Sequence, residues 1–258
     1  MKIVTFNIRS CYDSWDGINS FIHRAGLVRE VIAEKKPDII GFQEVIPQIK
    51  TLLEVLLPEY QILGHGRLED FGGEGVFTAI RKETVELLGL DVSWMSDTPY
   101  VPASRYENQS QCPRTLNTAI VRYKPSGENF YVYNVHLDHI ASSAQQDELN
   151  FMLDRMQADK KNKYDIPAVI MGDFNLKWGF SDAIKQFAEQ KEFPINKITG
   201  PYPATFHGFG TVDKEYEIDY IFVTDELKDK VQSVTMWEEE KNGIFLSDHY
   251  PICAEIDL

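Results

Sequence analysis

Six apolar, strand-like stretches of this chain border on an acid, an amide or an imidazole rather than on ordinary turn residues. Asn7 follows IVTF, Gln43 and Glu44 follow DIIGF, and His136 with Asp138 and His139 follows FYVYNV. Asp173 and Asn175 lie in MGDFN, Asp219 in EIDYIF, and Asp248 and His249 in LSDHYP. Any one of these residues alone reads as an Asx turn or a helix cap. Turns would be served equally by Gly, Ser and Pro, so the whole set asks for a fold whose strand ends gather around one cleft.

The rest of the chain alternates strands and helices without a linker-like break. Lys2 to Asn7 reads as a strand, and Ile18 to Lys35 as a helix with apolar residues at helical spacing, stopped by Pro37. DIIGF is a second strand, Ile49 to Leu57 a second helix, and Gly72 to Arg81 a Gly-rich loop feeding a strand. Val85 to Asp91 is a further strand. Trp94 to Arg114, with three prolines among Ser, Asn and Gln, reads as a long surface loop. Leu116 to Tyr123 and Phe130 to Leu137 flank Pro125-Ser126-Gly127 as a hairpin. Ser142 to Lys160 is an amphipathic helix, and strands follow at Ala168 to Met171, Tyr216 to Val223, Val231 to Trp237 and Tyr250 to Ile256. A strand-rich second half with hairpin turns favours sheets packed on each other and covered by helices, in one domain spanning 1–258.

Charge narrows the function. The 26 Lys+Arg against 40 Asp+Glu leave a net −14, which excludes polynucleotide binding through bulk neutralisation of phosphates. A phosphate-bearing ligand must be gripped locally, by a few cations or a metal, or be small. The 43% hydrophobic content is ample for a sizeable core. Three cysteines, Cys11, Cys112 and Cys253, share no short spacing, which suggests neither a disulfide framework nor a cysteine-based zinc site. A reducing cytoplasm is the expected compartment. The opening MKIVTFNIRS is a strand and not a signal sequence, although a trimmed signal peptide would leave no trace, and no apolar run is long enough to span a membrane.

The donor types then suggest a chemistry. Glu44 and Asp248, with Asn7 nearby, make a hard-oxygen site suited to Mg²⁺ or Mn²⁺. Zinc fits less well, since HExxH and paired cysteines are missing. His136 and His249 can donate to phosphate oxygens or take a proton from water near neutral pH. Such a set favours attack of water on phosphorus, with positioning and charge neutralisation supplying most of the acceleration.

TFNIR, FQE, NVHLDH, GDFN, IDYIF and SDHYP, in this order from the first residues to the C-terminus, resemble the motifs of the endonuclease/exonuclease/phosphatase superfamily. Its members include deoxyribonuclease I, abasic endonucleases, deadenylases, neutral sphingomyelinases and inositol polyphosphate 5-phosphatases. The resemblance implies an α+β fold, a four-layer α/β/β/α sandwich of two mixed sheets flanked by helices. It also implies a metal-dependent phosphoesterase. Glu44 would be the principal metal ligand, with Asn7 and Asp248 close to the metal. Asp173 and Asn175 would orient water and phosphate, Asp219 would hold His249 at the scissile phosphate as base or electrostatic stabiliser, and His136 would donate to a phosphate oxygen.

Further positions carry a functional reading beside a bland one. Glu74, in GGEGVFTAIR, sits where deoxyribonuclease-like members place an acid that pairs with the equivalent of His136; a solvated Glu is the alternative. Arg114 is a candidate for a bidentate phosphate contact, against a surface ion pair. Asp138 reads as a cap for the helix that follows. The HLDH form, with His139, is closest to bacterial hydrolase-like members. Phe206 is either an aromatic of the substrate mouth or, more conservatively, a core residue. The expected substrate is a phosphate ester or phosphodiester. Nucleic acid is possible but not favoured by the charge, although Trp94, Tyr100, Arg105, Tyr106 and Arg114 offer a modest aromatic and basic patch. A nuclease, or a catalytically silent binding module on the same fold, are the rival readings. No partner protein is indicated.

Overall fold

A computed structural model describes residues 1–13 and 15–258. In chain order the strands are β1 (Lys2–Asn7), β2 (Ile39–Val45), β3 (Tyr60–Leu63), β4 (Gly75–Arg81), β5 (Val85–Trp94), β6 (Thr115–Tyr123) and β7 (Glu128–His136). They continue as β8 (Ala168–Asp173), β9 (Ile195–Ile198), β10 (Asp219–Thr224), β11 (Val231–Met236), β12 (Glu240–Lys241), β13 (Ile244–Phe245) and β14 (Ile252–Ile256). The helices are α1 (Phe21–Lys35), α2 (Pro47–Leu56), α3 (Ser142–Asn162), α4 (Asp182–Glu189) and α5 (Asp225–Lys228).

Two six-stranded sheets result, ordered β11-β14-β1-β2-β4-β3 and β5-β6-β7-β8-β10-β9. Each is antiparallel except for one central parallel pair, β1/β2 in the first and β7/β8 in the second. Those are the pairs joined through the two longest helices, α1 and α3, as a parallel connection requires a crossover. The central strands alternate between the two faces, apart from a bulge in β2. Val4 and Phe6 point outward under α1 and α2, while Ile3 points inward with Ile39, Val132, Val169, Met171, Ile221 and Ile252 to fill the space between the sheets. Tyr133, Ile170 and Phe222 point outward on the other side, beneath Leu149, Met152 and Met156 of α3 and Ile184 and Phe187 of α4. This is the expected four-layer sandwich. Burying side chains of this size stabilises by roughly 1.5–3 kcal/mol each, which makes the inter-sheet layer the main fixed frame for anything built at its edge.

Between the sheets the apolar layer gives way to amides. Gln43 Nε2 donates to Asn134 Oδ1 at 2.7 Å, Asn134 Nδ2 donates to the Phe77 carbonyl at 3.0 Å, and Thr78 Oγ1 donates to Asn117 Oδ1 at 3.0 Å. These bonds cross from one sheet to the other. Gly41 permits the approach, because a Cβ there would lie 2.7 Å from Met171 Cε and 2.9 Å from Asn134 Cγ.

Some boundaries differ from the sequence reading. α1 begins at Phe21, leaving Ile18 exposed in a short 3-10 turn. β5 runs on to Trp94, because its inner positions pair with β6 along its whole length. Tyr216 lies before β10, bridged to Phe206. β3, α4, β9, α5 and the small β12/β13 ribbon have too few residues for a periodic signal. No helix among the described residues is long and apolar enough to cross a membrane.

Candidate active site at the edge of the sandwich

The inward phase of the central strands runs without interruption from core into cleft. Ile3 and Thr5 lead to Asn7, Val132 and Asn134 to His136, and Val169 and Met171 to Asp173. β10 runs antiparallel to β8 with Asp219 opposite Asp173, so a residue that opens a strand reaches the same edge as one that closes its neighbour. On the other side of β8, His136 is registered with Asp173.

Glu44 reaches the cleft by a different device. By simple alternation it would share the outward face of Phe42. The β2/β4 register slips between Phe42 and Val45, and Glu44 takes a left-handed φ of 60°. This bulge returns Val45 to the outer core and turns the carboxylate inward. Asn175 (φ 51°) and Arg9 (φ 62°) are also left-handed, and three such non-glycine residues around one cleft mark a backbone held by its surroundings.

The polar contacts knit the two sheets together. Asn7 Nδ2 donates to Asp173 Oδ2 at 2.9 Å and to Glu44 Oε1 at 3.2 Å, and the Ser10 N–H donates to Glu44 Oε2 at 2.9 Å. His249 Nδ1 lies 2.8 Å from Asp219 Oδ2, which also accepts from Thr205 Oγ1 at 2.6 Å. Asp173 Oδ2 is central, 3.6 Å from His136 Nε2 and 3.9 Å from His249 Nε2. Its other oxygen accepts the Asn175 N–H at 2.9 Å. Arg9 pairs with Asp16 at 3.0 Å and approaches Asp248 at 3.7 Å.

These neighbours set the charges. Burial opposes the His249 imidazolium, but the Asp219 carboxylate against Nδ1 outweighs it and pushes the pKa up to about 10. Burial, then the nearby Arg114 and Arg67, holds His136 well below the ordinary histidine value. Burial and the adjacent Asp219 raise Asp173 to about 7. Glu44 is lowered, the Ser10 N–H, His249, Asn7 and Arg9 overcoming its desolvation. Asp248 is raised, chiefly by burial. One imidazole is therefore charged and the other neutral.

Asp173, Asp219 and His249 each offer an atom within 4.8 Å of the others, a grouping that can hold a metal. Glu44 and Asp248 add further hard oxygens. A crowd of buried carboxylates, with Asp173 and Asp248 among them forced toward protonation, suits a divalent ion.

The structure brings nine of the sequence candidates, Asn7, Glu44, Glu74, Arg114, His136, Asp173, Asn175, Asp248 and His249, to one cleft, eight of them lining a cavity of about 580 Å³ while Asn7 lies at its base. Asp219 stands just behind His249. Glu74 meets other partners than the expected His136: it accepts from Ser10 Oγ at 3.0 Å and pairs with Arg67 at 2.7 Å. Asp138 does not cap α3, whose N-cap Ala141 has no side-chain cap bond; it accepts the Ile140 and Ala141 N–H groups at 2.9 and 2.8 Å in the turn before the helix. Phe206 lines the cleft with its ring edge-on to His249, 5.0 Å between centroids, and so belongs to the mouth. The aromatic patch of the long loop is not assembled: Trp94 is buried, with its indole N–H donating to the Arg67 carbonyl, and Tyr100 meets Arg155. Arg9, Arg67, Lys177 and Tyr216, none of them a sequence candidate, also line the cleft. Arg9 lies two residues after Asn7 in TFNIR, a signal legible in the sequence; Arg67 sits in a loop with no pattern.

Two mixed sheets packed face to face, with acids, amides and imidazoles gathered at one edge, define the deoxyribonuclease I-like fold. The chain belongs to the endonuclease/exonuclease/phosphatase family, generally phosphoesterases, whose model matches residues 4–249. A Bacteroides vulgatus endonuclease/exonuclease/phosphatase structure is similar at 30% identity and TM-score 0.88, covering 99% of this chain and 98% of that one. A Bacteroides thetaiotaomicron mannosyl-6-phosphatase superposes at TM-score 0.87 with 21% identity over 100% of both chains. D. rerio TDP2 complexed with single strand DNA product superposes at 0.74 with 18% identity, covering 98% and 97%. No curated protein sequence matches significantly.

Proposed function

We propose that residues 1–258 form one domain that hydrolyses a phosphate ester or phosphodiester with the help of Mg²⁺ or Mn²⁺. The observation that carries this reading is the His249–Asp219 pair, 2.8 Å apart and buried, which holds an imidazolium 3.9 Å from Asp173 between the two sheets. Glu44 and Asp248, with Asn7, would hold the ion, which when bound neutralises phosphate and leaving-group charge. Asp173, with its pKa near neutrality, orients the attacking water and takes its proton. His249 stays protonated and stabilises negative charge as it builds on the phosphoryl oxygens, which makes it a stabiliser rather than a base. His136 and the Asn175 amide complete the phosphate contacts, and Arg114 meets the substrate from the start of β6.

The unassembled aromatic patch weighs against a nuclease, and the filled motif positions weigh against a silent binding module. The test is hydrolysis with Mg²⁺ or Mn²⁺ of single-stranded and duplex DNA, RNA, sphingomyelin, bis-p-nitrophenyl phosphate and p-nitrophenyl phosphate side by side. Small esters should be turned over best, and His249→Ala should lose at least a hundredfold. Full activity in that variant would sink the assignment of His249.

A further inference from the structure

Among the described residues, Arg114 is the buried cation of the cleft that no carboxylate pairs. Arg9 is matched by Asp16 and Asp248, Arg67 by Glu74, and Lys177 stands 3.2 Å over the ring of Tyr216. Arg114 is only 4% exposed, yet no carboxylate among the described residues lies within ion-pair distance of it, and its Nε has no hydrogen-bond partner. Among the described residues its one side-chain hydrogen bond runs from NH2 to Nδ1 of His139, at 3.1 Å. The acid that faces it from α3, Glu148, is itself buried and pushed up to about 8, so it is largely uncharged at neutral pH. A desolvated guanidinium without a counter-charge is costly, and a binding site that receives its anion from a ligand is a natural place for one.

The His139 contact fixes a second donor. A guanidinium has hydrogens to give and no lone pair to accept with, so Nδ1 must be the acceptor and the ring hydrogen sits on Nε2. His139 lines the same cleft. On one side Arg114 borders Glu44 and His136, while its bond to His139 is made beyond the end of β7. Arg114 leads into β6, and β7 separates β6 from β8, which carries Asp173.

We propose that Arg114 and His139 form a subsite for a second anionic group of the substrate, a carboxylate or phosphate carried by its alcohol portion. The inference rests on the phosphoesterase reading above and narrows it to small, doubly anionic esters. It also accounts for how a chain of net charge −14 would hold such a ligand, by one local grip rather than by its overall field.

The test compares 3- and 4-carboxyphenyl phosphate with the corresponding carboxamides, which match them in size and lack the second charge. Both kcat/KM and calorimetric affinity are measured in the wild type, Arg114→Met and His139→Ala. The expected result is a wild-type preference for at least one acid over its amide of tenfold or more, falling toward one in Arg114→Met and at least threefold in His139→Ala. A wild-type ratio near one for both pairs, or a ratio unchanged in Arg114→Met, overturns the subsite. If none of the esters is hydrolysed, the phosphoesterase reading fails, and the binding ratios alone decide the inference.

Discussion

Asp219→Asn isolates the charge of one carboxylate, because Asn keeps the shape and still offers an oxygen to Thr205 and His249. In the wild type that carboxylate lifts His249 to about 10 against the pull of burial. Without it burial is opposed only by the smaller contributions of Asp173 and Asp248, and the fully buried imidazole falls to near its ordinary value of about 6.5. The gap is roughly three pH units, about 4 kcal/mol of preference for the imidazolium. At pH 7 the ring therefore changes from charged to neutral, and its stabilisation of developing phosphoryl charge is lost. Losing one such donor costs about 10²–10³ in kcat. The assay is kcat for p-nitrophenyl phosphate hydrolysis across pH 5–9, with thermal melts to verify folding. Lowering the pH should partly restore the rate in the variant by reprotonating His249. A variant whose kcat at pH 7 stays within threefold of wild type would refute the reasoning.

Other consequences follow from named contacts. Glu148 has its pKa raised to about 8 in the fold against about 4.3 unfolded, so its contribution is fully present below pH ~4.3 and is lost as pH rises through about 8. Glu148→Gln should therefore flatten the decline of Tm between pH 5 and 9 that the wild type shows; parallel Tm profiles would contradict this. Gly41→Ala should destabilise by about 1–3 kcal/mol in urea unfolding, because its Cβ meets Met171 and Asn134 in the filled inter-sheet layer. Glu44→Gln should weaken Mg²⁺ binding by at least tenfold in calorimetric titration while leaving Tm within a few degrees, and an unchanged affinity would move the metal away from Glu44.

The candidate site was legible because the sandwich makes it a continuation of period-2 strands: Asn7, His136 and Asp173 are each the last inward position of an apolar run. Glu44 could be named from its motif, but not how it faces the cleft, since that depends on a bulge and a left-handed residue that no alternation predicts. Glu74 meets Ser10 and Arg67 rather than His136 for a similar reason. Arg67 and Ser10 reach it through loop geometry, and loop geometry is set by contacts distant in sequence. Trp94 looked like a surface aromatic in a proline-rich loop, yet β5 extends through it and packs its ring against His65, 5.1 Å between centroids. Arg114 is marked in the sequence by its type and place, but its lack of a carboxylate partner depends on where the neighbouring acids fold, which no local pattern encodes.

The most direct measurement is the initial rate of p-nitrophenyl phosphate and bis-p-nitrophenyl phosphate hydrolysis by chain stripped with EDTA, before and after adding Mg²⁺ or Mn²⁺. The account predicts negligible turnover when stripped, recovery on adding either ion, and little recovery in His249→Ala. Turnover that survives stripping, or a chain that binds Mg²⁺ yet hydrolyses neither ester, would contradict it.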